Sequence, residues 1–93
     1  MKESDKRAAF LGASLDPHLF TIDLHPAGDL HTALGEFERG FDRALFARVR
    51  ACRVIYGVGT GILAREILNI LKRNKNIVAW HEEESGGSVI ILL

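Results

Sequence analysis

Two apolar runs, each closing in a short motif just before a helical pattern, constrain this chain more than any other feature. The first motif is Thr21-Ile22-Asp23-Leu24-His25 and the second is Tyr56-Gly57-Val58-Gly59-Thr60-Gly61. Each run is short and strand-like, and apolar residues then recur at spacings of three and four. Strand, helix and strand in succession predict a parallel pair, which brings both motifs to one sheet edge. That edge is where open α/β sheets bind ligands and where helices present unpaired N–H groups. A carboxylate, an imidazole and a glycine-rich anion cradle then share one crevice.

The remaining elements follow from the same periodicities. A strand is predicted from Leu15 to about His25, with Phe20, Ile22 and Leu24 alternating against Thr21 and Asp23, and Pro26-Ala27-Gly28 stops it. Asp29 reads as the N-cap of a helix running to about Arg48, with Leu30, Leu34, Phe37, Phe41, Ala44 and Leu45 on one face. Gly35 and Gly40 weaken that helix, and their small size suits close approach to the sheet. A second strand covers residues 52–56, and a second helix runs from about Thr60 to Asn74 with Leu63, Ile67, Ile70 and Leu71 inward. A third strand runs from Ile77 to Trp80 or His81, Ser85-Gly86-Gly87 marks a turn, and residues 89–93 form a fourth strand. That last run is apolar without alternation, as expected of an interior strand. Two right-handed crossovers advancing in one direction place both helices on one face, which gives a two-layer α/β sandwich.

With 93 residues, 47% of them apolar, the chain is read as one domain over residues 15–93, preceded by residues 1–14 as a mobile arm or one short turn of helix. Its longest apolar run, residues 89–93, falls far short of the roughly 20 residues a membrane span needs, and residues 1–7 are too charged to open a signal peptide, so a cytoplasmic protein is expected. Lys plus Arg and Asp plus Glu both number 12, so no overall field draws the chain to nucleic acid or anionic lipid, and such contact needs a local site. Cys52 is the only cysteine, which excludes an internal disulfide and a cysteine metal knot and suits a buried apolar position.

The glycine motif is neither a Walker loop, since no Lys follows its last glycine, nor a dinucleotide fingerprint. It can let backbone N–H groups of Gly57, Gly59, Thr60 and Gly61 approach one phosphate at the start of the second helix. Asp23 and His25, two apart, share a face on a regular strand, where the carboxylate can orient the imidazole. Tyr56 is placed either to donate its hydroxyl to the same phosphate or to fill the core. Arg65, one turn into the second helix, is a candidate for a neighbouring phosphate. No ligand motif indicates a divalent metal, and cofactor use stays open.

Asp23-Leu24-His25, a helix, and then Gly57-x-Gly59-Thr60-Gly61 opening a second helix resemble the Smr (small MutS-related) domain over about residues 18–93. The resemblance implies a fold like the C-terminal domain of translation initiation factor three, with sheet order 1-2-4-3 and the fourth strand antiparallel. It also implies endonuclease activity on DNA or RNA, branched or single-stranded. Asp23 and His25 match the family's Leu-Asp-Leu-His motif, and Gly57, Gly59, Thr60 and Gly61 match its His-Gly-x-Gly-Thr-Gly motif. Tyr56 stands where that second motif usually has His, Val58 where a polar residue is common, and Pro26 where Gly is usual. Asp23, His25 and Tyr56 are thus the candidate catalytic residues, with Gly57, Gly59, Thr60, Gly61 and Arg65 as phosphate-binding candidates. Two further readings remain open: a non-cleaving nucleic-acid-binding module that has lost a catalytic group at Tyr56, and a protein-interaction domain using an open sheet face.

The other polar features carry less. Arg48, Arg50 and Arg53 read as a solvated corner at the sheet edge opposite the motifs, and Trp80 reads as core. His81 with Glu82, Glu83 and Glu84 contains metal-ligand residue types, but consecutive strand residues alternate faces, so a solvated acidic hairpin is expected.

Overall fold

The computed structural model describes residues 1–93. Helix α1 spans Glu3–Leu15, strand β1 Phe20–Asp23, a single 3₁₀ turn His25–Ala27, α2 Leu30–Phe46, β2 Ala51–Ile55, α3 Ile62–Arg73, β3 Ala79–Glu82 and β4 Ser88–Leu92. Strands β1 and β2 are parallel, β4 runs antiparallel to both β2 and β3, and the sheet order is β1-β2-β4-β3, as expected.

Alternation on each strand decides which side chains make the core. Ile22, Cys52, Val54, Val89 and Ile91 share one face and bury against Phe37 and Phe41 of α2 and Ile67 and Leu71 of α3. Each such side chain removed from water contributes about 1.5–3 kcal/mol, which offsets the helix-breaking cost of glycine within α2. Burial also pushes the Cys52 thiol up to about 12, so it stays neutral as a small apolar group. Asp29 caps α2 as expected, accepting from Thr32 N at 2.8 Å and from Thr32 Oγ1 at 2.9 Å.

Gly40 is where α2 meets β1. A Cβ on Gly40 would lie 2.9 Å from both Cγ1 and Cγ2 of Ile22, so only hydrogen fits there. Gly35 has no such role, since its nearest neighbour is the flexible Arg39 side chain. Gly40→Ala is therefore expected to lower stability by about 1–3 kcal/mol despite the better helix propensity of alanine. Gly12→Ala in α1, where a Cβ meets nothing within 4 Å, is expected to raise it by roughly 0.5–1 kcal/mol. Urea midpoints of the two variants should move in opposite directions, and a stabilised Gly40→Ala would refute the close packing.

The largest departure from the sequence reading is at the N-terminus. The segment expected as a mobile arm or short turn forms the 13-residue helix α1, and strand β1 starts at Phe20 rather than Leu15. This helix lies on the sheet face away from α2 and α3. Ile90 and Leu92, which alternate with the core residues Val89 and Ile91, face hollows walled by Phe10 and Leu11 and by Ala9 and Ala13 of α1. Phe10 also packs on His81 with ring centroids 5.4 Å apart. A third layer thus joins the expected two, and all five residues of β4 are buried. On the sheet face that the protein-interaction reading takes as open, the chain's own helix covers β4.

Arg53 and Glu83 are also not solvated as expected. The Arg53 guanidinium donates through Nε to Glu83 Oε1 at 2.7 Å and through Nη2 to Oε2 at 3.1 Å, and Ser88 Oγ donates to Oε1 at 2.8 Å. This pairing between β2 and the hairpin holds the Glu83 carboxyl below its ordinary range, mainly through the Arg53 hydrogen bond. No helix is long and apolar enough to cross a membrane.

Candidate functional site

The register of β1 on β2 builds the site. Asp23 pairs with Ile55, and Leu24 N–H continues the ladder by donating to Ile55 O at 2.7 Å, so both chains leave the sheet together. Beyond that point Leu24 turns into the helical region, at φ −96° and ψ −7°, and His25 opens the 3₁₀ turn. The strand period therefore stops before His25. Asp23 Oδ1 accepts from the His25 backbone N–H at 3.0 Å, which fixes the turn that presents the imidazole. The carboxylate acts on the backbone of His25, whereas the sequence reading has it orient the ring.

His25 is exposed, and its ring lies against the start of the glycine loop. Gly57 has φ +80°, and a Cβ there would stand 2.7 Å from His25 Cδ2, so glycine is needed both for the backbone and for the ring above it. Gly61 also has positive φ, at +83°, and is the N-cap residue of α3. Gly59 differs: its φ is not positive and a Cβ there would meet nothing within 4 Å. The loop is anchored from the hairpin, because Gly87 O accepts from both Tyr56 N and Gly57 N at 2.9 Å. Gly87 was legible only as a turn residue, and the sheet order that sets β4 beside β2 is what gives it this second role.

The N–H groups of Val58, Gly59, Thr60 and Gly61 donate to no backbone carbonyl. Thr60 Oγ1 accepts from Ile62 N at 3.4 Å, and the first turn of α3 holds no acidic residue. Unpaired N–H groups at the positive end of a helix, with no carboxylate among them, suit an anion. His25, Tyr56, Gly57, Gly59, Thr60 and Gly61 all line this hollow of about 180 Å³.

Two candidates are not brought there. Arg65 is exposed and does not line this hollow, although its N–H secures the first turn by donating to Gly61 O at 3.0 Å. Asp23 lines a separate depression with Glu36, Arg39 and Arg43. Tyr56 reaches the hollow only as part of its floor. The residue is 6% exposed, its hydroxyl donates to Ser88 O at 3.3 Å, and burial, followed by the charges of Glu82 and Glu83, raises its pKa. Of its two predicted roles, the geometry gives the core one. No three His, Cys, Asp or Glu side chains converge as a metal-binding group.

Comparison with known proteins adds a family to this geometry. The model of the Smr domain matches residues 22–93. Over 54 residues the chain is 35% identical to Endonuclease MutS2 of Agathobacter rectalis, an alignment covering 58% of this chain and 7% of that protein. The crystal structure of the Smr domain of Thermus thermophilus MutS2 superposes with a TM-score of 0.72 at 24% identity, covering 81% of this chain and 98% of that one.

Proposed function

Because this chain belongs to the Smr domain family, we propose that it is an endonuclease that holds the scissile phosphate of a nucleic acid on residues 57–61, with His25 as general acid or base. The reading is supported above all by the placement of an exposed imidazole on Gly57, next to a run of unpaired N–H groups. Those N–H groups and the α3 N-terminus neutralise the non-bridging oxygens, where negative charge is concentrated. As an attacking oxygen, from water or from a ribose 2′-hydroxyl in RNA, bonds to phosphorus and the P–O bond to the leaving oxygen breaks, His25 takes the proton from the attacking oxygen or gives one to the leaving oxygen. Asp23 is a positioning residue that acts through the His25 backbone. The relative named an endonuclease is far longer than this chain, and the alignment covers 7% of its length, so the proposal rests on the site rather than on the relative's name.

One observation favours a second reading. Tyr56 stands at the position where the family motif usually has an imidazole, and its hydroxyl is engaged by Ser88. With a single imidazole left, the crevice would bind phosphate without cutting. Labelled single-stranded RNA, duplex DNA and branched DNA, each incubated with purified protein with and without EDTA, separate the two. Cleavage of at least one substrate is the expected result, and the EDTA arm reads metal dependence directly. Tight binding of these substrates with no cleavage in any arm would replace the nuclease by the binding module. Neither binding nor cleavage would overturn both.

A further inference from the structure

Beside the anion hollow lies a larger one of about 330 Å³, and His25, Tyr56, Thr60 and Leu63 line both. Its wall is made by Leu24, Ala27, Leu30, Ala33, Ile62 and Leu63, drawn from the end of β1, the 3₁₀ turn and the first turns of α2 and α3. Its volume lies near the lower bound of small-ligand sites, which begin at about 300 Å³. Leu30 and Ile62 are 40% and 45% exposed, so apolar surface stands open to solvent at its mouth.

We propose that this hollow receives a nucleobase of the strand whose phosphate lies on residues 57–61, so that an unstacked base and its phosphate are held together. The inference rests on the phosphate-binding reading above. A base has two apolar faces to bury and no charge, which matches an aliphatic wall. A second phosphate does not match, because Asp29 lines the hollow and the Thr32 N–H and hydroxyl hold its carboxylate in the charged form. The exposed imidazole of His25, at the boundary of the two hollows, offers a flat face for stacking. A base in a duplex is already stacked and paired and must leave both contacts to enter, whereas a single strand offers its bases freely.

The test compares the wild-type protein's affinity for a short single-stranded oligonucleotide and for a strand of equal length in which tetrahydrofuran abasic residues replace every base. RNA and DNA versions and an intact blunt duplex are run beside them. The base-bearing strand is expected to bind roughly 5- to 150-fold more tightly than the abasic one, the value of one stacked base. Leu30→Ala and Ile62→Ala, which strip the exposed wall, should narrow that ratio. Equal affinity for the two strands overturns the base site while leaving phosphate binding intact. A ratio unchanged in both variants overturns it by placing the base elsewhere. Binding to no strand overturns the phosphate reading and this one together.

Discussion

Replacing His25 with alanine is expected to lower phosphodiester cleavage by roughly 10²- to 10⁴-fold, the usual worth of one positioned general acid or base. Binding should change less than the rate, by no more than the stacking contact of the imidazole, because the proposed phosphate contacts are backbone N–H groups that the substitution does not touch. Stability should also be nearly unaffected, since the side chain is exposed and the turn is fixed by the Asp23 carboxylate on the His25 N–H, a contact alanine retains. Tyr56→Phe supplies the contrast. Its hydroxyl points to Ser88 O, so the variant should lose about 0.5–1.5 kcal/mol of stability with little change in the chemical step. Single-turnover rates and equilibrium unfolding on the same preparations measure both quantities. A wild-type rate for His25→Ala would remove the imidazole from the mechanism, and a large rate loss in Tyr56→Phe would return the hydroxyl to it.

Much of the fold was legible because burial on this sheet follows simple periods. Alternation through Phe20, Ile22 and Leu24 identified a strand, the unbroken apolar run at β4 an interior one, and Asp29 announced the start of α2. Helix α1 was not legible, because its apolar residues form no sustained stripe. Of its residues only Ala13 is buried, and what α1 covers, Ile90 and Leu92, exists as a surface only after the sheet has formed. The Arg53–Glu83 pair was hidden for a related reason, since the sheet order and not local spacing brings these residues together.

The site divides along the same line. Parallel pairing of β1 and β2 sufficed to put His25 and the glycine loop in one crevice. The details failed where strand geometry was carried past the strand's end. Asp23 and His25 share a face only if the chain stays extended, and Leu24 leaves that conformation. For Tyr56, strand geometry decides between the two roles left open by the sequence. The period of two through Cys52 and Val54 continues one residue beyond β2 and turns Tyr56 into the core.

The second large effect is expected from Gly57→Ala, which should reduce cleavage by about two orders of magnitude while leaving the chain folded. Two costs coincide there. A side chain at φ +80° is strained by about 1–3 kcal/mol, and its Cβ would stand 2.7 Å from His25 Cδ2, inside any permitted contact. The imidazole is the softer partner, being an exposed side chain, whereas the loop is tied to Gly87 O, so the ring moves off the loop. Displacement of a reacting group by about 1 Å can cost 10² in rate, and the predicted loss follows from that shift. Gly59→Ala is the control, because its backbone needs no positive φ and a methyl group there meets open space. That variant should keep wild-type stability, and any loss of affinity it shows reports the closeness of the bound phosphate to the loop. The discriminating readout for Gly57→Ala is the environment of the imidazole, followed through the His25 ring resonances by NMR. A shifted ring with a reduced rate supports the mechanism. An unmoved ring and a wild-type rate would show that His25 does not work from its seat on Gly57.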